Sequence, residues 1–207
     1  MYRSTAYVWF DTEYSSLELD GAVLLQVAMR ITDADLQPLD PLRRDVNFFV
    51  KLPDGAEVSP WIRENMPDIV ERCRSNDAIT AADLDAHLAA TVDRVVVVPG
   101  GEYKRRPILA GNSIHSDWFL AKKFLPRFLA KLHYRHLDVT ALKLQWQDLR
   151  THEEEFEKED AALIAKYCPE PKIDPAAKRH DAYYDVQASI AELNFYRGKF
   201  FRKKRTA

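Results

Sequence analysis

The stretch Ala6-Tyr7-Val8-Trp9-Phe10-Asp11-Thr12-Glu13 is an apolar, β-prone run that ends in two carboxylates two residues apart. On a strand, successive side chains alternate faces, so Asp11 and Glu13 point the same way. Two acids held side by side resist full ionisation unless a cation lies between them. The pair is either part of a metal site or a chance feature of a strand end, and Asp-x-Glu is too short to decide. Further on, Asp117 stands where a helix follows a short strand, the place at which open α/β sheets present ligands. Asp185 lies near the start of the last helical stretch, and His180 precedes it by five residues. On one helix that spacing would set them about 140° apart. To act together, His180 must stand on the preceding loop and Asp185 on the helix.

Taken as a set, Asp11, Glu13, Asp117 and Asp185 offer only oxygen ligands, which select hard cations such as Mg²⁺ or Mn²⁺ over zinc. Two such ions about 3.5–4 Å apart can clamp the attacking and leaving oxygens of a phosphodiester. Histidine, which ordinarily titrates near neutrality, is suited to take the proton from an attacking water.

The elements that must position these groups follow from patterning. Leu24 to Ile31 and Val46 to Leu52 read as second and third strands, separated by polar turns, so the first three strands form an antiparallel meander. Ser59-Pro60-Trp61 opens a helix with Ser59 as cap. Thr80 opens another, with Leu84, Leu88, Val92 and Val95 at helical spacing and Pro99-Gly100-Gly101 as its end. Pro107 to Gly111 is a buried strand, Trp118 to Phe124 a helix opened by Asp117, and Leu137-Asp138-Val139 a short strand. Leu142 to Ala165 is mainly helical, and the acidic run from Glu153 to Asp160 is the solvated face of that helix. Prolines 169, 171 and 175 mark an irregular loop before a last helix over Ala182 to Arg197, which Gly198 stops. The expected fold is an α/β sheet of mixed direction with helices on both faces.

The chain has 207 residues, 46% hydrophobic and 30% charged, enough for one soluble domain with a substantial core. That domain is expected over residues 1–198, with a basic tail over 199–207. A net charge of −2 gives no global attraction to nucleic acid, so any such binding rests on a local patch. No run reaches membrane-spanning length, and the N-terminus lacks the features of a signal peptide. Cys73 and Cys168 have no paired-ligand spacing and read as reduced thiols, as expected of a cytoplasmic protein. His115, His133 and His136 lack suitably spaced Cys or His partners and read as surface or packing residues. Asp181 reads as a helix-start acid and Asp138 as an acceptor for backbone or Arg135.

Phe10-Asp11-Thr12-Glu13, Asp117, and His180-Asp181-Ala182-Tyr183-Tyr184-Asp185 resemble the motifs of the DEDDh 3′→5′ exonucleases, the last matching His-x-Ala-x-x-Asp. Gly111 to Ile114, His133-Tyr134-Arg135, Leu137 to Thr140 and Ser189 to Leu193 are similar to segments of the oligoribonuclease branch, in order and over most of the chain. The resemblance implies a ribonuclease-H-like fold with a mixed five-stranded sheet and two divalent cations, Mg²⁺ or Mn²⁺. It implies Asp11, Glu13, Asp117 and Asp185 as ligands and His180 as general base. For substrate it implies Leu17 as an apolar wedge against a base, Ser113, Arg135 and Thr140 holding the terminal phosphate, and Asn112 as a further substrate contact. It also implies a homodimer in which Tyr134 reaches the partner's site, acting on short single-stranded RNA.

Three positions depart from that pattern. Ser16 stands where the family has glycine and Gln26 where it has glutamate. Asn65-Met66-Pro67 replaces the stretch with a pocket-closing histidine, which removes one basis for a strict dinucleotide preference. The expected activity is 3′→5′ hydrolysis of short oligoribonucleotides to nucleoside 5′-monophosphates. The alternatives are a broader exonuclease trimming longer RNA or single-stranded DNA, and a catalytically idle nucleic-acid-binding module.

Overall fold

In chain order the elements are β1 (Tyr7–Tyr14), β2 (Leu24–Thr32), β3 (Val46–Phe49), α1 (Pro60–Asn65), α2 (Pro67–Arg74), α3 (Ala81–Val95), β4 (Ile108–Gly111), α4 (His115–Phe124), α5 (Pro126–Leu129), β5 (His133–Asp138), α6 (Val139–Leu149), α7 (Ala161–Tyr167) and α8 (Ala182–Phe200). The computed structural model describes residues 6–42, 44–150, 154–168, 170 and 180–200. The expected loop around 168–179 and the basic tail beyond Phe200 lie almost wholly outside these.

The strands form one sheet in the order β3-β2-β1-β4-β5. β1, β2 and β3 pair antiparallel as expected, whereas β4 joins β1, and β5 joins β4, in parallel. β1 is central and covered on both faces. Val8 and Phe10 pack with Leu84, Leu88, Leu120 and Phe128 of α3, α4 and α5 on one side. Trp9 faces the other side with Val139, Trp146, Val186 and Ile190 of α6 and α8. Its indole Nε1 donates to Thr32 Oγ1 at 2.9 Å, so the ring is buried with its polar atom bonded. Truncating it to alanine should cost roughly 3–5 kcal/mol. Asp11 and Glu13 continue the Trp9 face, so they emerge beneath α8.

α8 is buried over most of its length, from Ala182 to Tyr196. Such a helix serves as core rather than surface. It runs past Gly198, the expected stop, because Phe200 packs edge-on against Trp146 at 5.3 Å. Near its start, Tyr183 OH donates to Asp45, which also pairs with the buried Arg30 of β2.

Other boundaries differ from expectation for local reasons. α3 closes at Val95, because Val95 to Val98 is a β-branched run. β3 ends at Phe49, with Val50 bridging to Ile79 instead. α4 begins at His115, so Asp117 lies inside its first turn. β5 is longer than expected and ends at Asp138, whose side chain accepts Thr140 N–H and starts α6 there. The region beyond α6 is not one helix. Trp146 Nε1 donates to Glu154 O, Phe156 is buried beside Phe195, and Asp160 caps a separate α7. Among the described residues, no helix is long and apolar enough to cross a membrane.

Candidate active site

Asp11 and Glu13 leave β1 at the end where β4 no longer pairs with it, the β1–β4 ladder covering Tyr7 to Trp9. Asp185, in the first turn of α8, meets them there. Each of these three acids places a carboxylate oxygen within 4.8 Å of the others'. Asp117 is not part of that mutually close group, but it stands near enough to raise the Asp11 and Glu13 carboxyls. Its Oδ1 accepts both Thr12 N–H and Thr12 Oγ1–H at 2.8 Å, which ties α4 to the residue between the two β1 acids. Gly111 makes the junction possible: a Cβ there would lie 2.9 Å from Phe10 O and from Ile114 Cδ1.

Burial and mutual repulsion govern the charge of this cluster. Desolvation, then the neighbouring Asp117 and Asp185, hold the Asp11 carboxyl well above the usual range. Desolvation and the same neighbours push Glu13 up to about 8. Burial raises Asp117 to about 7, against the opposing pull of the Thr12 hydrogen bonds. Acids that crowd and desolvate one another, gathered with only oxygen donors, are consistent with binding a divalent cation.

His180 stands on the turn before α8, as its spacing from Asp185 requires. Its backbone is left-handed, with φ +67°, a conformation costing a β-carbon residue about 1 kcal/mol or more. Its N–H donates to Asp185 Oδ2 at 3.0 Å. The residue is exposed, and its imidazole meets the Trp61 ring edge-on, centroids 5.4 Å apart. Asp181 caps α8: its Oδ1 accepts Tyr183 N–H and Tyr184 N–H.

A second cluster lies where β4 and β5 end. Ser113, with φ +47°, donates its N–H to Asp138 Oδ1 at 3.0 Å and to Thr140 Oγ1 at 2.9 Å. Thr140 Oγ1 in turn donates to Asn112 Oδ1, and Asn112 Nδ2 donates to Ser189 Oγ of α8. Asn112 thus joins the cradle to α8, and the hydroxyls of Ser113 and Thr140 lie 3.3 Å apart. Arg135 is turned onto the Tyr134 ring, its Nε donating to Tyr134 OH. Tyr134 is 65% exposed on edge strand β5 and stacks on His133. Leu17, 89% exposed, caps the β1–β2 connection.

A family model described as exonuclease, RNase_T, matches residues 8–193. The chain belongs to this exonuclease family. It is 30% identical over 200 residues to the mitochondrial oligoribonuclease of Homo sapiens, covering 95% of this chain and 74% of that protein. It is 29% identical over 194 residues to a probable oligoribonuclease of Schizosaccharomyces pombe, covering 92% of this chain and 66% of that one. A zinc-bound E. coli exonuclease I in complex with single-stranded DNA shares the fold, with a TM-score of 0.67 at 15% identity. That alignment covers 97% of this chain and 42% of the bacterial one.

Within this exonuclease fold, three groups take up places at the site that the sequence does not assign them, Gln26 standing out there only as a departure from the family's glutamate. Trp61 is half exposed beside His180, and its only sequence mark is an aromatic in the first turn of a proline-started helix. Gln26 bonds the turn that bears His180. Lys158 sits in the acidic run expected to be solvated, yet it turns inward. Its Nζ lies 3.5 Å from the fully buried Glu192 Oε2, and Tyr184 OH donates to its carbonyl oxygen at 2.6 Å. Its charge opposes the upward shift of Asp11.

Proposed function

We propose that this chain is a metal-dependent 3′→5′ exonuclease that hydrolyses short oligoribonucleotides to nucleoside 5′-monophosphates. The observation that carries this is the convergence of Asp11, Glu13 and Asp185 within 4.8 Å at the end of the central strand, with His180 bonded to Asp185. Asp11, Glu13, Asp117 and Asp185 would hold two divalent cations. Bound there, such ions supply charge stabilisation to the attacking and leaving oxygens of the phosphodiester. His180, exposed on its turn, takes the proton of the attacking water. Ser113, Thr140 and Arg135 hold the phosphate at the far end of a short substrate, where a guanidinium suits two-point contact. Leu17 and the half-exposed Trp61 offer apolar faces to the 3′ base. On the same reading, two copies associate in the cytoplasm and the exposed Tyr134 of each reaches toward the other's site.

One observation favours a second reading, trimming of longer RNA or single-stranded DNA. The stretch where the family carries its pocket-closing histidine is the α1–α2 junction, in which Met66 is buried and Asn65 donates to Trp61 O.

Cleavage of 5′-labelled RNAs of two, five and twenty nucleotides, with Mn²⁺, Mg²⁺ or EDTA, tests both. The proposal expects metal-dependent hydrolysis fastest on the shortest RNA, absent in Asp11→Ala. Equal or faster cleavage of the longest selects the trimming reading. No cleavage of any length with either metal overturns both in favour of a binding module.

A further inference from the structure

The turn that carries His180 is held from the sheet by a side chain that the catalytic motifs do not include. Gln26 lies on β2 directly opposite Glu13, so the two side chains share the face beneath α8. It is fully buried, and both ends of its amide are used. Nε2 donates to Asp181 Oδ2 at 3.2 Å and to Asn47 Oδ1 at 2.9 Å. Oε1 accepts Ala182 N–H at 3.2 Å. The other carboxylate oxygen of Asp181 caps α8, and its carbonyl accepts Asp185 N–H. Gln26 therefore grips the two residues that follow His180, one by donating and one by accepting.

An amide does both without depending on protonation. A carboxylate at position 26 could still accept Ala182 N–H, but it would face the Asp181 carboxylate with no proton to share. A buried carboxylate at position 26 would then repel the half-buried Asp181 next to Glu13. The resemblance sets a glutamate at this position, so the glutamine here is a departure, and Asp181 is the residue that gives it a reason. We propose that Gln26 and Asp181 form a matched pair that fixes the position of His180, making Gln26 a positioning residue for the general base. This rests on His180 acting as that base.

The test uses the full chain with Mn²⁺ and a five-nucleotide RNA. Gln26→Glu should lower kcat about 30-fold through misplacement of His180, with KM unchanged and Mn²⁺ binding by calorimetry retained. Adding Asp181→Asn supplies an amide donor from the other side while keeping a helix-capping oxygen. The double variant should recover kcat to within about threefold of the parent. Asp181→Ser keeps the cap but loses the Gln26 contact, so it should lower kcat about fivefold. Should Gln26→Glu fail to fold, the double variant and Asp181→Ser decide. Unchanged kcat in Gln26→Glu, no recovery in the double variant, or a parallel loss of RNA binding would each overturn the pairing. His180→Ala in the same assay separates the two levels: full activity there ends the general-base reading, whereas its loss with Gln26→Glu intact ends only the pairing.

Discussion

The two halves of the site are built on opposite principles. Around Asp11, Glu13, Asp117 and Asp185, like charges are packed together and desolvated, so the chain alone leaves the cluster electrostatically strained. Around Ser113, Asp138 and Thr140, the turning backbone finds internal acceptors, and Asn112 locks the cradle to α8. The acidic half has the makings of a divalent-cation site; the cradle is organised by its own hydrogen bonds. Metal should therefore control turnover and local stability, whereas the cradle should control substrate retention.

The largest break in this contrast should come from the acids. Asp11→Asn or Glu13→Gln is expected to lower kcat on the order of 10³-fold, while fluorescence anisotropy still reports RNA bound through the cradle. Equal loss of binding and turnover would mean the halves are not separable.

Next in size is Lys158→Met, which strands the buried Glu192 carboxylate and should destabilise the fold by about 2–3 kcal/mol in urea titrations. Removing both charges with Glu192→Gln should return most of that, because no orphan charge remains. A single variant as stable as the parent would show the pair to be incidental.

The acidic half should also give the metal-free protein an unusual pH dependence. Glu13 titrates near 8 in the folded state, above its ordinary 4.5, so the folded protein binds more protons than the unfolded one between these values. Stability should then fall as pH rises through that window, by on the order of 5 kcal/mol at about 1.4 kcal/mol per pH unit between the two values. That corresponds to about 10–20 °C in melting temperature for a chain of this size. Mn²⁺ should flatten the slope, and Glu13→Gln should flatten it without metal. A rise in metal-free stability from pH 5 to 8 would contradict the strained cluster.

The smallest effect belongs to the cradle. Thr140→Val removes one acceptor for Ser113 N–H and one hydroxyl from the phosphate position. It should raise KM for a dinucleotide about tenfold with kcat held. A loss confined to kcat would place Thr140 with the acidic half instead.

Much of this site is legible in the amino-acid sequence. Asp11 and Glu13 share a face because strand geometry has a period of two, and the five-residue gap forces His180 off the helix that carries Asp185. The antiparallel start of the sheet and the Ser59 and Thr80 caps follow from equally local chemistry. The acidic run misleads a local reading, because its charge density suggests a solvated helix. Phe156 and Lys158 instead turn inward, where Phe195 and Glu192 of a distant helix await them.

Residue type and short-range spacing thus determined which side chains could do the chemistry and which face or turn each must occupy. Only the tertiary structure decided what surrounds them. The sheet sets Gln26 opposite Glu13 and against Asp181, α4 hands Asp117 to Thr12, and α1 brings Trp61 to His180. These pairings join residues far apart in the chain, and no periodicity encodes them. They exist because burying Trp9 and α8 against one sheet brings these polar groups together at its end, where they bond one another.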